Sequence, residues 1–316
     1  MSLLPADVKV GHYTDREGWT GCTAIIVPDG SVAACEVRGG GPGTRESDLL
    51  SPAASAPGAN AILLSGGSAF GLAAADGVVR YLEEAGLGYR ASVGVVPLVA
   101  AAVVYDLALG DPNARPGAEA GYAAARRATV GPERGSVGAG TGCTVGKLFG
   151  AGGWTKGGLG FAGRTLAGGG KVAALAAVNA FGEVLAEDGS ILAGAWKDGA
   201  YRRTTDLLAR GHVPVRPWRE ATTLVCVITD AALTKTEAWL VARSATAGVA
   251  RAVDPAATAV DGDVVYCVAT GRKEVGALTV AATAADVTAA AIRDGVRLAD
   301  GAPGCPSASD RIREAG

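Results

Sequence analysis

The sequence predicts an α+β chain in which sheets and helices stack in layers. Three observations carry that expectation. Apolar runs of strand length alternate with Ala-rich helical stretches, yet some strands come as hairpins, which does not suit a simple doubly wound sheet. Gly numbers 48 among 316 residues and aromatics only 5%, so backbones are expected to approach one another closely. Hydrophobic residues make up 49% and charged ones 19%, a balance that suits a folded chain with a large core.

The elements follow in order. Residues 22–28 (C-T-A-I-I-V-P) and 32–38 (V-A-A-C-E-V-R) bracket Asp29-Gly30 and read as a β-hairpin. The run G-G-G-P-G (39–43) breaks the chain. A short strand at 60–64 leads through S-G-G-S-A-F-G-L into a helix over 73–85. A strand at 103–107 and a helix at 118–128 come next, then a Gly-rich tract over 135–170. Residues 171–181 read as a strand ending near Asn179, and 182–191 as a turn and short strand. Residues 194–220 have few apolar repeats and two prolines, and read as a long linker. A strand over 223–229 precedes a helix over 233–253, whose Thr234 and Glu237 fit a capping box. Asp261-Gly262-Asp263 turns into a strand over 264–270. A final helix over 279–298 precedes a polar tail. No internal repeat is visible.

Several function classes are disfavoured. The formal net charge is -2 and no basic cluster carries interleaved aromatics, so nucleic acid is not an expected partner. The six cysteines form no C-x-x-C pair and only His12 and His212 are at hand, so neither a metal nor a cofactor is expected. The N-terminus lacks a signal-peptide pattern, and the apolar run 93–104 contains Pro97 and is too short to span a bilayer. No membrane association is expected, and a cytoplasmic enzyme with reduced thiols is. The tract G-S-V-G-A-G-T-G-C-T-V-G-K is not a phosphate loop, because Leu148 follows Lys147 where a hydroxyl is needed. Gly158-x-Gly160-x-x-Gly163 matches a dinucleotide fingerprint by letter, but no apolar strand precedes it and no helix pattern follows. Its glycines read as aids to close packing. No G-x-S-x-G elbow supports a serine triad.

Residues 220–230, E-A-T-T-L-V-C-V-I-T-D, offer different chemistry. Two hydroxyls open a buried strand just after a loop-like segment. A threonine hydroxyl is a poor nucleophile unless a base takes its proton. A chain-initial Thr carries such a base in its own α-amine, with a pKa near ~8. The chain would have to be cut before Thr222 to expose it. Thr is also common at strand starts, where it needs no chemistry.

A set of segments decides between these readings. They are V-G-H-Y-T-D with T-G-C-T (10–15, 20–23), R-G-G-G-P-G-T-R-E (38–46), L-S-G-G-S-A-F-G-L (64–72) and V-V-Y-D-L (103–107). Further along come G-A-G-T-G-C-T-V-G-K (138–147), A-A-V-N-A-F-G (176–182), T-T-L-V-C-V-I-T-D-A-A-L-T-K (222–235) and D-G-D (261–263). In this order they resemble the L-aminopeptidase D-Ala-esterase/amidase family, which also includes β-aminopeptidases and 6-aminohexanoate-oligomer (nylon) hydrolases. The resemblance covers most of the chain. It implies one hydrolase domain over 1–316 with a four-layer αββα sandwich of the N-terminal-nucleophile kind, related to the ornithine acetyltransferases. It also implies self-cleavage between Ala221 and Thr222 into an α chain of 1–221 and a β chain of 222–316, with 194–221 as the linker before the cut.

On this resemblance Thr222 matches the nucleophile, and Tyr105, Lys147 and Asn179 match active-site positions. Asp261 and Asp263 match acidic residues of the nylon hydrolases. The chemistry suggests roles: Asn179 and Tyr105 as hydrogen-bond donors to an oxyanion, and Lys147 as a charge that lowers the Thr222 amine pKa or as a group that orients its hydroxyl. The two aspartates would hold the Thr222 ammonium or fix the lysine. The expected activity is hydrolysis of short peptides, amino-acid amides or ω-amino-acid oligomers, and the resemblance implies a homo-dimer or homo-tetramer. Two alternatives stand: acyl transfer to an amine, or an uncleaved assembly protein. The family usually has Asn before the nucleophile, whereas this chain has Ala221. The reacting carbonyl remains, but any assistance from an Asn side chain is gone.

Overall fold

The computed structural model describes residues 3–215 and 220–315; of the expected linker, 216–219 lie outside the described residues. Ten strands and four helices build its frame. The first half supplies β1 (Lys9–Asp15), β2 (Thr20–Ile26), β3 (Val32–Val37), β4 (Thr44–Arg45), β5 (Ala61–Ser65), α1 (Ala74–Glu84), β6 (Val99–Val103) and α2 (Ala118–Arg126). The second half supplies β7 (Gly158–Thr165), β8 (Lys171–Asn179), β9 (Thr222–Ala231), α3 (Lys235–Ala252), β10 (Val264–Lys273) and α4 (Ala277–Arg297). They form two five-stranded sheets, in the orders β1-β2-β5-β6-β4 and β7-β8-β9-β10-β3.

The burial pattern stacks these sheets in four layers. In β9, Leu224, Cys226 and Ile228 share a core with Ile62, Leu64, Ala100 and Ala102 of the other sheet. The alternate residues Val225 and Val227 pack with Val241, Val280 and Ile292 of α3 and α4. In β5, Leu63 faces the other way, onto Val78, Leu82 and Ala124 of α1 and α2. The order is therefore helices, sheet, sheet, helices, the αββα sandwich expected above. Central strands are buried on both faces, so they read as continuous apolar runs with no polar alternation. The Ala and Gly content sets the spacing: a Cβ added at Gly160 of β7 would lie 1.9 Å from the Ala291 carbonyl oxygen of α4. The reading of those glycines as packing aids therefore holds, although β7 is a strand that the sequence reading did not place there.

Three other expectations change. The hairpin over 22–38 does not form, because β2 and β3 lie in different sheets. The chain crosses between layers at Asp29-Gly30, since each strand has apolar residues for both faces. The strand expected at 103–107 ends at Val103, which leaves Tyr105 beyond the sheet end. The linker contains short strands at Trp196–Lys197 and Ala200–Tyr201 and a helix at Thr204–Ala209, and the polar tail forms a helix over Ala308–Ala315. The capping box of α3 is present as expected, with Thr234 and Glu237 bonding reciprocally. No helix among the described residues is long and apolar enough to cross a membrane.

Candidate active site

Thr222 is the first residue of β9 and lies opposite Asn179, the last residue of β8. Its hydroxyl donates to the carbonyl oxygen of Ala221, 2.5 Å away. A second donor reaches the same oxygen: the backbone N–H of Gly262, at 2.8 Å. Ala221 pairs with Asp261 in a parallel bridge, so D-G-D is no hairpin turn but a strand-like segment running beside residue 221. The segment admits only glycine at its centre. A Cβ at Gly262 would lie 2.8 Å from both the Thr222 hydroxyl oxygen and the Gly41 carbonyl oxygen.

The R-G-G-G motif completes this wall. Arg38 and Gly39 donate backbone N–H bonds to the Asp263 carbonyl, and Gly41 donates to that of Asp261 at 2.8 Å. A Cβ at Gly39 would sit 2.2 Å from the Asp261 carbonyl oxygen. The motif is therefore the close-fitting neighbour of D-G-D, and two segments far apart in sequence form one support for the Ala221–Thr222 peptide.

Lys147 and Asn179 form the opposite side. The Lys147 ammonium donates to Asn179 Oδ1 at 2.9 Å and to the Glu220 carbonyl at 2.6 Å. Asn179 Oδ1 also accepts from the Thr144 backbone N–H. Asn179 Nδ2 donates to the carbonyls of Tyr105, at 2.9 Å, and Glu220, at 3.3 Å. The amide orientation is thus fixed from both ends. Burial draws the Lys147 pKa down to about 8, while Cys143, Glu220, Asp261 and Asp106 oppose the shift. In the unbroken chain this pair holds the carbonyl one residue before the one that Thr222 touches. Tyr105 meets Asn179 through its carbonyl and is one of the residues lining the adjoining cleft.

Both aspartates accept from backbone N–H groups, and Asp263 takes that of Thr223, next to Thr222. Asp261 accepts from the Thr258 N–H and hydroxyl and from the Phe181 N–H at 3.4 Å. Asp263 accepts from the Thr223 N–H at 2.6 Å and the Ala257 N–H at 2.9 Å. Burial pushes the Asp263 carboxyl upward, and the neighbouring Asp261 charge pushes it further. Neither contact set reaches the lysine.

A cleft of about 420 Å³ opens beside Ala221, walled by Tyr105, Lys147, Phe149, Trp154, Phe181 and Glu220. Ala221 itself is buried and packs with Leu148, Phe181 and Ala195. That apolar seat suits a methyl group and offers little to an asparagine, so the departure at 221 matches its surroundings.

Sequence reasoning missed two buried groups that brace this site. Asp106 accepts from the Gly67 N–H at 2.6 Å and the Thr20 hydroxyl at 2.7 Å, which fixes the turn next to Tyr105. Lys156 is fully buried, and its ammonium donates to the carbonyls of Gly140, Cys143 and Gly157. It thereby pins the loop that delivers the Thr144 N–H to Asn179. Asp106 stood within a quoted motif, but Lys156 gave no signal inside a glycine tract. Cys143, the thiol nearest this loop, is no competing nucleophile, because burial raises its pKa to about 12.

Comparison with known proteins identifies the family and the fold. The family model for peptidase family S58 matches residues 6–307. An uncharacterized aminopeptidase of Mycobacterium leprae is 41% identical over 287 residues, covering 84% of this chain and 77% of its own. A 6-aminohexanoate-oligomer endohydrolase of Agromyces is 29% identical over 302 residues, covering 89% and 81% respectively. Among solved structures, the L-aminopeptidase D-Ala-esterase/amidase of Ochrobactrum anthropi, described as a variant of the Ntn hydrolase fold, superposes with a TM-score of 0.70. It is 20% identical, and the match covers 98% of this chain and 91% of that one. The chain belongs to peptidase family S58 and is a hydrolase of C–N bonds.

Proposed function

We propose that this enzyme cuts itself between Ala221 and Thr222 and then hydrolyses small amides with Thr222 as nucleophile. The observation that carries this reading is the Thr222 hydroxyl lying against the Ala221 carbonyl, whose oxygen also receives the Gly262 N–H. In the cut, Thr222 Oγ attacks the Ala221 carbonyl carbon and its proton passes to the Thr222 nitrogen. The Gly262 N–H meets the negative charge that develops on oxygen. The C–N bond breaks to leave an ester, and water hydrolyses it to an Ala221 carboxylate and a free Thr222 with its own amine.

In turnover, the uncharged amine takes the hydroxyl proton, Oγ attacks the substrate carbonyl, and the leaving amine departs with that proton. Asn179 Nδ2 and the Lys147 ammonium, no longer bound to the Glu220 carbonyl, hold the oxyanion. The Lys147 charge also favours the neutral amine. Water then releases the acid. Substrates are short peptides, amino-acid amides or ω-amino-acid oligomers.

The two fragments stay together in this reading. β9 lies between β8 of the α chain and β10, and β10 in turn pairs with β3 of the α chain. Parting them would break a central sheet. Cytoplasmic residence and a homo-dimer or homo-tetramer complete the proposal. Intact mass spectrometry tests it: two species divided before Thr222 are expected, and a single full-length species with amide-hydrolysing activity would sink it.

A further inference from the structure

We infer a second binding site, separate from the cleft, that takes a short aliphatic carboxylate. A pocket of about 300 Å³ opens between the second half of α3 and the chain around D-G-D, and it shares no lining residue with the cleft beside Ala221. Small residues leave the space open: Val249, Ala250, Ala256, Ala257 and Val265 line it with methyl groups. Ala250 and Ala257 are exposed at its mouth, while Val265 and Asp263 are buried. Such walls favour an apolar chain over water. The volume lies at the lower end for ligand pockets, which suits a chain of about six carbons. Ala257 sits in the left-handed region with φ 54°, and its N–H bond to Asp263 holds it there, so this lip is fixed backbone.

Charge selects the head group. Among the described lining residues Arg38 is the one cation. Its Nε donates to Glu36 Oε1 at 2.9 Å, and among the described residues its two terminal nitrogens donate to no protein acceptor. The other Glu36 oxygen accepts from the Trp239 indole N–H at 2.7 Å, and the Arg243 guanidinium lies over that ring. Two guanidinium groups therefore stand against one glutamate here. The acid of the pocket, Asp263, already accepts the Thr223 and Ala257 N–H groups, one on each oxygen. The capacity left for a ligand is the outer edge of Arg38, whose paired N–H groups match the two oxygens of a carboxylate. A ligand held there rests against the residue that frames Thr223, outside the cleft.

The site does not depend on the cut, so calorimetric titration of the Thr222→Ala protein with hexanoate tests it. We expect one site with a Kd of about 0.1–1 mM, in the range open to so small a ligand. Hexanamide and hexylammonium should bind more weakly by about tenfold or more. Ala250→Phe, which fills the pocket from an exposed helix position, should abolish binding. Ala108→Phe, which fills the cleft from an exposed position, should leave it. Arg38→Gln should weaken hexanoate by about tenfold. Glu36→Gln, which removes the competing anion, should tighten it by about threefold. No binding to the parent, equal binding of hexylammonium, or binding that survives Ala250→Phe or Arg38→Gln unchanged overturns the inference. Loss of binding in Ala108→Phe would place hexanoate in the cleft and overturn it as well.

Discussion

The two sheets are built alike but used differently. Each starts with an antiparallel hairpin, β1-β2 or β7-β8. Each adds a strand antiparallel to it, β5 or β9, and then crosses through a helix to a parallel neighbour, β6 or β10. An antiparallel edge strand, β4 or β3, closes each one. At matching places, the end of β2 sets Ile26 opposite Ala61, whereas the end of β8 sets Asn179 opposite Thr222. The residue before β5, Asn60, ties turns together through Asp29 and the Leu98 N–H. The residue before β9, Ala221, presents a carbonyl to a hydroxyl and an N–H donor. The topology supplies the same seat twice, and in the proposed function the side chains at one strand end make it the reactive one.

The strongest way to break this comparison is to remove the hydroxyl. Thr222→Ala should abolish self-cleavage and lower turnover by about 10⁴-fold or more, on the scale seen when a nucleophile is lost. The converse change, Ala61→Thr, places a hydroxyl in the silent seat and should yield no cut at residue 61. Mass spectrometry reads both, and a fragment starting at residue 61 would show that topology alone is reactive.

Removing the opposing donors comes next. Asn179→Ala and Lys147→Met should each lower kcat of cleaved enzyme by about 10²–10³-fold, as loss of an oxyanion donor does. The pH profile of the parent sharpens the assignment. Activity should rise as the Thr222 amine loses its proton and fall again as Lys147, held near 8, loses its own. The alkaline fall should be absent from the residual activity of Lys147→Met; if it persists, another group titrates there.

Much of this was legible in the sequence, for identifiable reasons. The segments around Thr222, Asn179 and Lys147 kept their chemistry in short contiguous motifs, and the structure brings all three together. The β2-β3 hairpin was misread because a turn followed by apolar residues looks the same whether the next strand pairs beside the first or joins the sheet stacked on it. Lys156 was invisible because its three partners are backbone carbonyls, which have no letter in the sequence. The Gly262 N–H escaped for the same reason. D-G-D drew attention to its two acids, yet its middle residue donates to the Ala221 carbonyl and the acids hold the frame.

The glycine at 262 offers a smaller effect in the same seat. Gly262→Ala would press a methyl group towards the Thr222 hydroxyl and the Gly41 carbonyl. Self-cleavage should slow by about 10–100-fold, on the scale of a misplaced reacting group. Time-resolved intact mass measures it, and cleavage at the parent rate would remove Gly262 from the mechanism.

The smallest effect separates the two halves by their buried acids. Glu183 follows β8 closely, is 1% exposed, and accepts bonds from the Thr204 N–H and hydroxyl, anchoring the helix at Thr204–Ala209. Its counterpart after β2, Asp29, is exposed. Burial raises the Glu183 pKa to about 7, and Asp254 adds to the shift. A free glutamate titrates near ~4.3. Between these values the folded chain holds a proton that the unfolded chain has lost, so stability falls as pH rises through that window and levels off above it. Asp263, also raised, acts in the same direction. In the uncut Thr222→Ala background, Glu183→Gln should flatten the decline by up to about 3 kcal/mol between pH 4.5 and 7. Urea unfolding at a series of pH values measures this, and equal slopes in the parent and Glu183→Gln would show that the buried carboxyl is not what ties stability to pH.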